Sequence, residues 1–408
     1  MKILVVSQYF SPESFRINDL VRAWTDRGHE VTVLTGLPNY PAGRLFKGYG
    51  WRGPWREKRE GAEVRRVPIV TRGSRRGLRL LLNYASFVVA GVVFGSLMLR
   101  DRYDVSFAYA PSPITICLPA IWLRWLRGIP VVFWVQDLWP DNLVAIGAVR
   151  PGRITRAVER LARWIYHRCD LVLGQSAAFV PAIRRVCPDV RDVRVLPNWA
   201  DDFYRPTTVP DDAPERREWP RGFTVVFAGN LGYAQALDAV IDAADLLRDR
   251  DVVWVFIGDG NQRAHLEERA GELGLQEKVR FLGWKPAEAM PTYLSLADVL
   301  LVSLRRDPAF ASTVPAKVQS SLAMGRPVLA ALEGEGARIV EESGAGVVVE
   351  QESGQALADG VRRLMAMEPA QRAEMGQRGR RYAVEQFDRE MLIARLDGWM
   401  REITERAR

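Results

Sequence analysis

MKILVVSQYF (residues 1–10) and FTVVFAGNLG (residues 223–232) read alike: a short apolar strand, then a loop, then a helix pattern. After the first, apolar positions through Val21 and Trp24 carry a helix to Gly28. After the second, AQALDAVIDAADLL (residues 234–247) does the same. Short apolar runs separated by helices predict parallel sheets covered on both faces. Two such starts predict an α/β chain with two Rossmann-like domains facing across a cleft.

Working outward, the strand candidates of the first half are Lys2–Val6, Glu30–Leu34, Val64–Val67, Asp104–Tyr109, Val131–Trp134, Leu171–Gly174 and Val193–Leu196. A helix is expected over Gly152–Cys169. The second half offers Thr224–Ala228, Val252–Ile257, Val279–Phe281, Val299–Ser303, Val328–Ala331 and Gly346–Val349. Between the halves, a proline- and acid-rich stretch without periodicity reads as a linker. The expected layout is a domain over 1–200, a linker over 201–220, a second domain over 221–388, and a closing helix over 389–408 that packs back toward the first domain.

Length and composition agree with this layout. At 408 residues the chain exceeds one ordinary core. It is 48% hydrophobic and 26% charged, which marks a folded chain. The three cysteines, Cys117, Cys169 and Cys187, show no paired spacing, so neither a disulfide framework nor a zinc site is expected, and a reducing compartment fits. The opening turns polar after six residues, unlike a signal peptide.

Charge is unevenly spread. Residues 1–200 hold 30 Lys and Arg against 15 Asp and Glu, a net +15, whereas residues 201–408 hold 27 against 34, a net −7. Within the first half, residues 44–79 hold 12 basic and 3 acidic side chains and read as a basic patch. Leu78–Leu99 follows, an apolar stretch long enough to cross a bilayer. A buried helix, a monotopic helix dipping into one leaflet and a true span all remain open for it. Arg72, Arg75, Arg76 and Arg79 on its flank lean toward an anionic membrane surface met by residues 44–99.

Three motifs in the second half suit a phosphate-bearing ligand. In AGNLG, Gly229 and Gly232 let the backbone approach a ligand, and the amides of the following helix are expected to point the same way. A plain tight turn fits equally, and the G-x-G-x-x-G dinucleotide pattern is absent. IGDG (residues 257–260) ends another strand, and ligands of open α/β sheets bind beyond the carboxyl ends of strands. The third, SLRRDPAFASTVPAKVQSSLAMGRPVLA (residues 303–330), supplies hydroxyls at Ser312 and Thr313 and cations at Arg305 and Lys317.

In order along the chain, GLPNYP (36–41), DLWPD (137–141), LPNW (196–199), GNLG (229–232), IGDG (257–260), VPAK (314–317) and AMGRPV (323–328) resemble a family 4 glycosyltransferase of GT-B fold. The resemblance is to the branch that adds sugars such as N-acetylfucosamine to lipid-linked O-antigen or colanic-acid precursors. It implies a retaining enzyme (EC 2.4) without metal or other cofactor, with a nucleotide-sugar donor in the second domain and an acceptor in the first. The implied donor is a UDP-sugar, an N-acetylated aminosugar favoured, and the implied acceptor a polyprenyl-diphosphate-linked saccharide. The implied location is cytoplasmic, peripheral or monotopic on the inner face of the plasma membrane.

By resemblance, Gly229, Asn230 and Gly232 line the donor diphosphate, and Gly258 and Gly260 approach the base. Ser312, Thr313 and Val314 offer amides to the donor sugar, and Lys317 counters phosphate charge. The family's paired glutamates fall here at Ser312 and Ser320, and the Arg and Lys of its donor loop fall at Asn230 and Gln235. Ser320 is left as a neutral partner for ribose, and Arg263, Arg305 or Lys317 becomes the phosphate cation.

On the acceptor side, Asp137 follows the strand VVFWV and is the candidate group to accept a hydrogen bond from, or deprotonate, an acceptor hydroxyl. Capping of the next helix is its structural alternative. Arg16, Asn39 and Asp141 are the other acceptor-side candidates. Asp137 and Asp141 lack a histidine for a metal pair, and His29 reads as structural. Two other functions are weighed: a sugar-nucleotide 2-epimerase, which needs neither lipid helix nor acceptor, and a nucleic-acid-binding protein. The second is disfavoured because the arginines flank an apolar helix and no recognised binding module is visible.

Overall fold

The computed structural model describes residues 1–73, 77–145 and 149–407. It divides into two compact units, Met1–Pro197 with Leu392–Arg408, and Asn198–Met391.

Unit 1 is built on eight strands: β1 (Lys2–Val6), β2 (Glu30–Gly36), β3 (Arg56–Arg59), β4 (Ala62–Val67), β5 (Val105–Ala110), β6 (Val131–Val135), β7 (Leu171–Gly174) and β8 (Val193–Val195). Their spatial order is β3-β4-β2-β1-β5-β6-β7-β8. Strands β1, β5, β6 and β7 are almost continuously apolar because helices cover both faces. On one face Leu4, Val6, Phe133 and Val172 pack with Phe87, Leu123, Ile165 and Ile183 of four helices. On the other, Trp24 meets Phe107 edge to face and donates from Nε1 to Asp397 of the closing helix at 2.8 Å. That helix, Arg389–Ala407, buries Leu392, Leu396 and Met400.

Strand β3 corrects one reading: the sheet is not wholly parallel, since β3 pairs antiparallel with β4. Part of the basic stretch 44–79 is this hairpin, where each of its three acids meets an arginine. Arg66 is fully buried, pairs with Glu57 at 2.6 Å, and donates to the carbonyls of Gly36 and Ser11. Glu57 also meets Arg59, Glu63 meets Arg65, and Glu60 meets Arg22. Arg75 and Arg76 lie outside the described residues.

The Leu78–Met98 helix is long and apolar enough to cross a membrane, but 28% of its most apolar window is buried. One stripe, Asn83, Phe87, Ala90, Gly91 and Gly95, faces the unit. Gly91 and Gly95 allow the close approach of Pro119 and Leu34. The opposite stripe exposes Leu78, Leu81, Leu82, Val89 (63%), Val93, Phe94 and Leu97 (59%). Of the three readings open for this segment, a wholly buried core helix does not fit, since one face is buried and the other is apolar and exposed.

Unit 2 holds β9 (Phe223–Ala228), β10 (Val252–Ile257), β11 (Val279–Gly283), β12 (Val299–Ser303), β13 (Val328–Ala331) and β14 (Gly346–Val349). All pair in parallel, in the order β11-β10-β9-β12-β13-β14. The chain leaves β9 in both directions, so a switch point lies between β9 and β12. Unit 1 has its own between β1 and β5. The stretch 201–220 lies against unit 2: Val209 is buried, Thr207 N donates to Ser295 Oγ at 2.9 Å, and Glu218 pairs with Lys285 at 2.8 Å. It also contains a short helix, Pro214–Glu218.

Candidate functional site

In unit 2 the glycine turns after β9 and β10 are knitted together. Gly229 N donates to Ile257 O at 2.8 Å, Leu231 N to Asp259 O at 2.9 Å, and Gln262 N to Leu231 O at 2.9 Å. Gly258 sits at φ +137°, and a Cβ there would collide with the Gly229 carbonyl. A Cβ at Gly260 would collide with the Leu231 backbone. Both glycines thus serve the crossing of two backbones, whatever ligand lies above them.

The expected helix does not begin at the GNLG turn. Tyr233–Gln235 forms a single 3₁₀ turn, Ala236 adopts φ +51°, and the α-helix starts only at Asp238. Gln235 folds back so that Gly232 N donates to its Oε1 at 3.1 Å. The Gly232 amide is therefore engaged inside the loop, a correction to the predicted amide cradle. Asn230 projects across this turn, its Nδ2 inside the space a Gly232 side chain would need.

Lys317 is brought to the loop from far along the chain. A Cβ added at Gly229 would lie 2.7 Å from Lys317 Cε and 3.2 Å from Nζ, and Nζ sits 3.9 Å from the Phe227 ring centroid. No carboxylate pairs with it among the described residues. Burial pushes its ammonium down to about 7 from the ordinary 10.5. A cation held against a phosphate-sized turn without a counter-anion is stabilised by an incoming anion.

The other predicted donor residues divide. Arg305 stacks on Tyr233 at 3.9 Å and pairs with Glu352 at 3.1 Å, while its amide donates to Ala234 O. It therefore joins the GNLG loop. Arg263 pairs with Glu267 at 2.8 Å on its own helix, and its guanidinium lies beside Gly283. Thr313 Oγ1 donates to Phe310 O, and Ser320 Oγ donates to Lys317 O, so both hydroxyls close local turns. The Val314 side chain is in the core, packed with Val318 and Leu322, so only its backbone is left for a ligand. Ser312 also has a partner within the fold. Tyr233, two-thirds exposed, lies outside the sequence reading; an aromatic directly after a glycine turn is its signal in the sequence.

In unit 1 the loops after β1, β5 and β6 converge near the switch point. Asp137, just beyond β6, interacts with Asn142 and acts electrostatically on Tyr84 and Tyr109. Burial raises its carboxyl to about 6, with the Asn142 hydrogen bond opposing. A carboxylate poised near neutrality can act as a base. Arg16, at the start of the Arg16–Asp26 helix, acts electrostatically on Tyr109. The Tyr84 hydroxyl sits beside Tyr9 and Ser112.

Two acceptor candidates are placed elsewhere. Asp141 pairs with Arg185 at 2.5 Å on the surface. Asn39 is fully buried: its Nδ2 donates to Leu37 O, its Oδ1 accepts from Arg72 N, and its own amide donates to Glu13 at 2.7 Å. Its side chain positions a loop. Tyr9, Tyr84 and Tyr109 lay outside the sequence reading because tyrosines in strand and helix patterns read as core.

Residues 14–199 match the glycosyl transferase 4-like domain, and residues 211–382 match the glycosyl transferases group 1. The chain is 29% identical over 390 residues to the Escherichia coli (strain K12) protein assigned to colanic acid biosynthesis as glycosyl transferase WcaI, covering 90% of this chain and 93% of that one. It is 30% identical over 338 residues to a GDP-mannose-dependent alpha-(1-6)-phosphatidylinositol monomannoside mannosyltransferase of Mycolicibacterium smegmatis, 80% of this chain and 84% of that one. Among solved structures, Anabaena Alr3699/HepE in complex with UDP matches with a TM-score of 0.71 at 18% identity, over 98% of this chain and 100% of that one. That likeness concerns the fold.

Proposed function

Because the chain belongs to the glycosyl transferases of group 1, with the 4-like domain at its N-terminal side and the GT-B fold, we propose that it transfers a sugar from a nucleotide sugar to a lipid-linked saccharide in the making of a cell-surface polysaccharide. The donor is a UDP-sugar, N-acetylated aminosugars favoured, and the acceptor is a polyprenyl-diphosphate-linked saccharide. Lys317 against the Gly229 turn is the observation that carries this reading.

The donor is assigned to unit 2 and the acceptor to unit 1. The acceptor hydroxyl attacks the anomeric carbon from the face the diphosphate leaves, so configuration is retained. The new glycosidic C–O bond forms as the bond to the phosphate oxygen breaks, and the hydroxyl proton passes to that oxygen. Lys317 and Arg305 take up the charge that develops on the diphosphate, and Asp137 accepts a hydrogen bond from the attacking hydroxyl. No metal or cofactor is assigned a step. Support for a lipid acceptor comes from the exposed stripe of the Leu78–Met98 helix and from the Mycolicibacterium relative, which is named for a phosphatidylinositol-based acceptor. Support for uridine comes from the UDP held by the Anabaena protein.

The apolar stripe continues onto the Leu118–Arg127 helix. Trp122 Nε1 donates to Ser96 Oγ at 2.8 Å, and Trp125 (75% exposed) and Leu126 lie beside it. Aromatic residues on a half-exposed apolar face suit the membrane interface. The protein would then work from the cytoplasm, monotopically on the inner face of the plasma membrane.

The test is purified protein incubated with a panel of UDP-sugars, with and without a polyprenyl-diphosphate-linked acceptor, alongside UDP binding by calorimetry. Donor consumption that needs the acceptor is expected. No consumption together with no UDP binding refutes the reading, and an isomerised sugar nucleotide without acceptor would replace it with an epimerase.

A further inference from the structure

The segment joining β4 to the Leu78–Met98 helix carries a cation that no acid of the described residues neutralises. Arg72 sits with its guanidinium 5.0 Å from the Tyr40 ring centroid and 5.9 Å from that of Tyr9, and Nη1 donates to the Tyr9 hydroxyl at 3.3 Å. Among the described residues no ion pair forms on it, although Arg59, Arg65 and Arg66 of the neighbouring hairpin are all paired. Tyr9, Tyr40 and Phe15 pack as a triad with centroids 5.0–5.6 Å apart, so the surface beneath the guanidinium is rigid.

The main chain is equally held. Arg72 N donates to buried Asn39 Oδ1 at 3.0 Å, and Val70 N donates to Ser86 Oγ at 2.9 Å. Asn83 donates to Val70 O and accepts from Gln8 of the β1 loop. Gly73 N donates to Gly43 O at 2.9 Å. Glu13, buried and accepting three backbone amides, pins the Asn39–Tyr40 side of the same cluster. This is a large polar investment for one loop residue whose head group has no counter-ion among the described residues.

What lies on either side gives the site a direction. Toward β5 and β6, Tyr9 leads to Tyr84, then to Ser112 and Asp137. Toward the surface, Arg79 donates to Thr71, and the same helical turns expose Leu78, Leu81 and Leu82. The sequence of environments is apolar stripe, guanidinium, aromatic hydroxyls, carboxylate. A lipid-linked sugar has the same sequence of parts: tail, diphosphate, sugar ring, hydroxyl.

We propose that Arg72 binds the diphosphate of the polyprenyl-linked acceptor, with the tail along the exposed stripe of the Leu78–Met98 helix and the sugar directed toward Asp137. The inference rests on the lipid-linked acceptor of the proposed function. Guanidinium matches phosphate oxygens in a bidentate fork that an ammonium cannot reproduce, and the aromatic faces hold that fork in place.

The experiment compares the wild type, Arg72→Ala and Arg72→Lys on two acceptors: the polyprenyl-diphosphate-linked saccharide and the same saccharide on a short alkyl chain without phosphate. Arg72→Ala raises KM for the diphosphate-linked acceptor by about tenfold or more beyond its effect on the alkyl acceptor. Arg72→Lys recovers part of that loss, and donor KM stays level. Equal losses on both acceptors, or a level KM in a variant that melts with the wild type, overturn the assignment. A parallel loss of binding to phosphatidylglycerol vesicles overturns it too, in favour of a membrane head-group contact. If the wild type ignores the lipid-linked acceptor but uses the alkyl one, the proposed function fails first.

Discussion

Replacing Lys317 with Met separates the stability of unit 2 from its ligand chemistry. Met keeps the length of the stem and its contact with Phe227 while deleting the charge. In the ligand-free protein the lysine is held near 7, and in the unfolded chain it returns to about 10.5. Between those values the unfolded chain binds more protons than the folded one, so this residue makes stability rise with pH from about 7 to 10.5. The gap corresponds to at most about 5 kcal/mol, and residual solvent contact brings a working figure to about 1–3 kcal/mol.

Lys317→Met is thus expected to melt higher than wild type near pH 7 and to converge with it by pH 10. Its affinity for UDP moves the other way. Loss of one charge-assisted contact to the diphosphate costs about 1.5–3 kcal/mol, roughly a ten- to hundredfold rise in Kd. Wild-type UDP binding also takes up protons near pH 8, read as a dependence of calorimetric heat on the ionisation enthalpy of the buffer, and the variant loses that dependence. Differential scanning calorimetry and titration calorimetry across pH 6–10 read all three quantities. A variant that binds UDP within twofold of wild type refutes the placement of Lys317 on the diphosphate. A variant that loses stability at pH 7 refutes the account of its burial.

Asp137→Asn should lower kcat by about a hundredfold or more with donor KM nearly level, and the wild-type rate should fall as pH drops through about 6, where the carboxyl protonates. A rate flat from pH 5 to 8 would remove Asp137 from the chemistry. Val89, Val93 and Leu97 all changed to Ser should abolish recovery with anionic vesicles while melting stays close to wild type, because all three are exposed. Phe87→Ala on the same helix should instead cost about 3–5 kcal/mol, as its ring is fully buried, and equal melting losses in both variants would contradict the two-faced helix. Gly258→Ala should disrupt the crossing with Gly229 and weaken UDP binding by tenfold or more, a result that unchanged affinity would reverse.

Most strands of both units were legible because each is a local apolar run. Val252–Ile257, Val299–Ser303 and Leu171–Gly174 end where their sequences say. Strand β3, REKR, was not, since it carries no apolar signal and exists only through its antiparallel pairing with β4. The glycine turns were legible as turns, yet their purpose differed. Gly258 and Gly260 accommodate neighbouring backbones, and Gly232 is engaged by Gln235. Asn39 was drawn into the site by the motif around it, although its buried side chain holds a loop.

Hydrophobic periodicity, glycine placement and charge balance act over a few residues, and from them alone the chain determined two parallel-sheet units and an apolar helix between arginines. The tertiary structure decided everything that depends on residues meeting across the sheet order. It set Lys317 against Gly229 and carried Tyr84 from the apolar helix to Asp137. It buried Arg66 while leaving Arg72 without a counter-ion among the described residues, and chose which stripe of Leu78–Met98 faces outward. Burial and partnership are properties of contacts between distant segments, so two arginines six positions apart read alike in sequence and differ wholly in the fold.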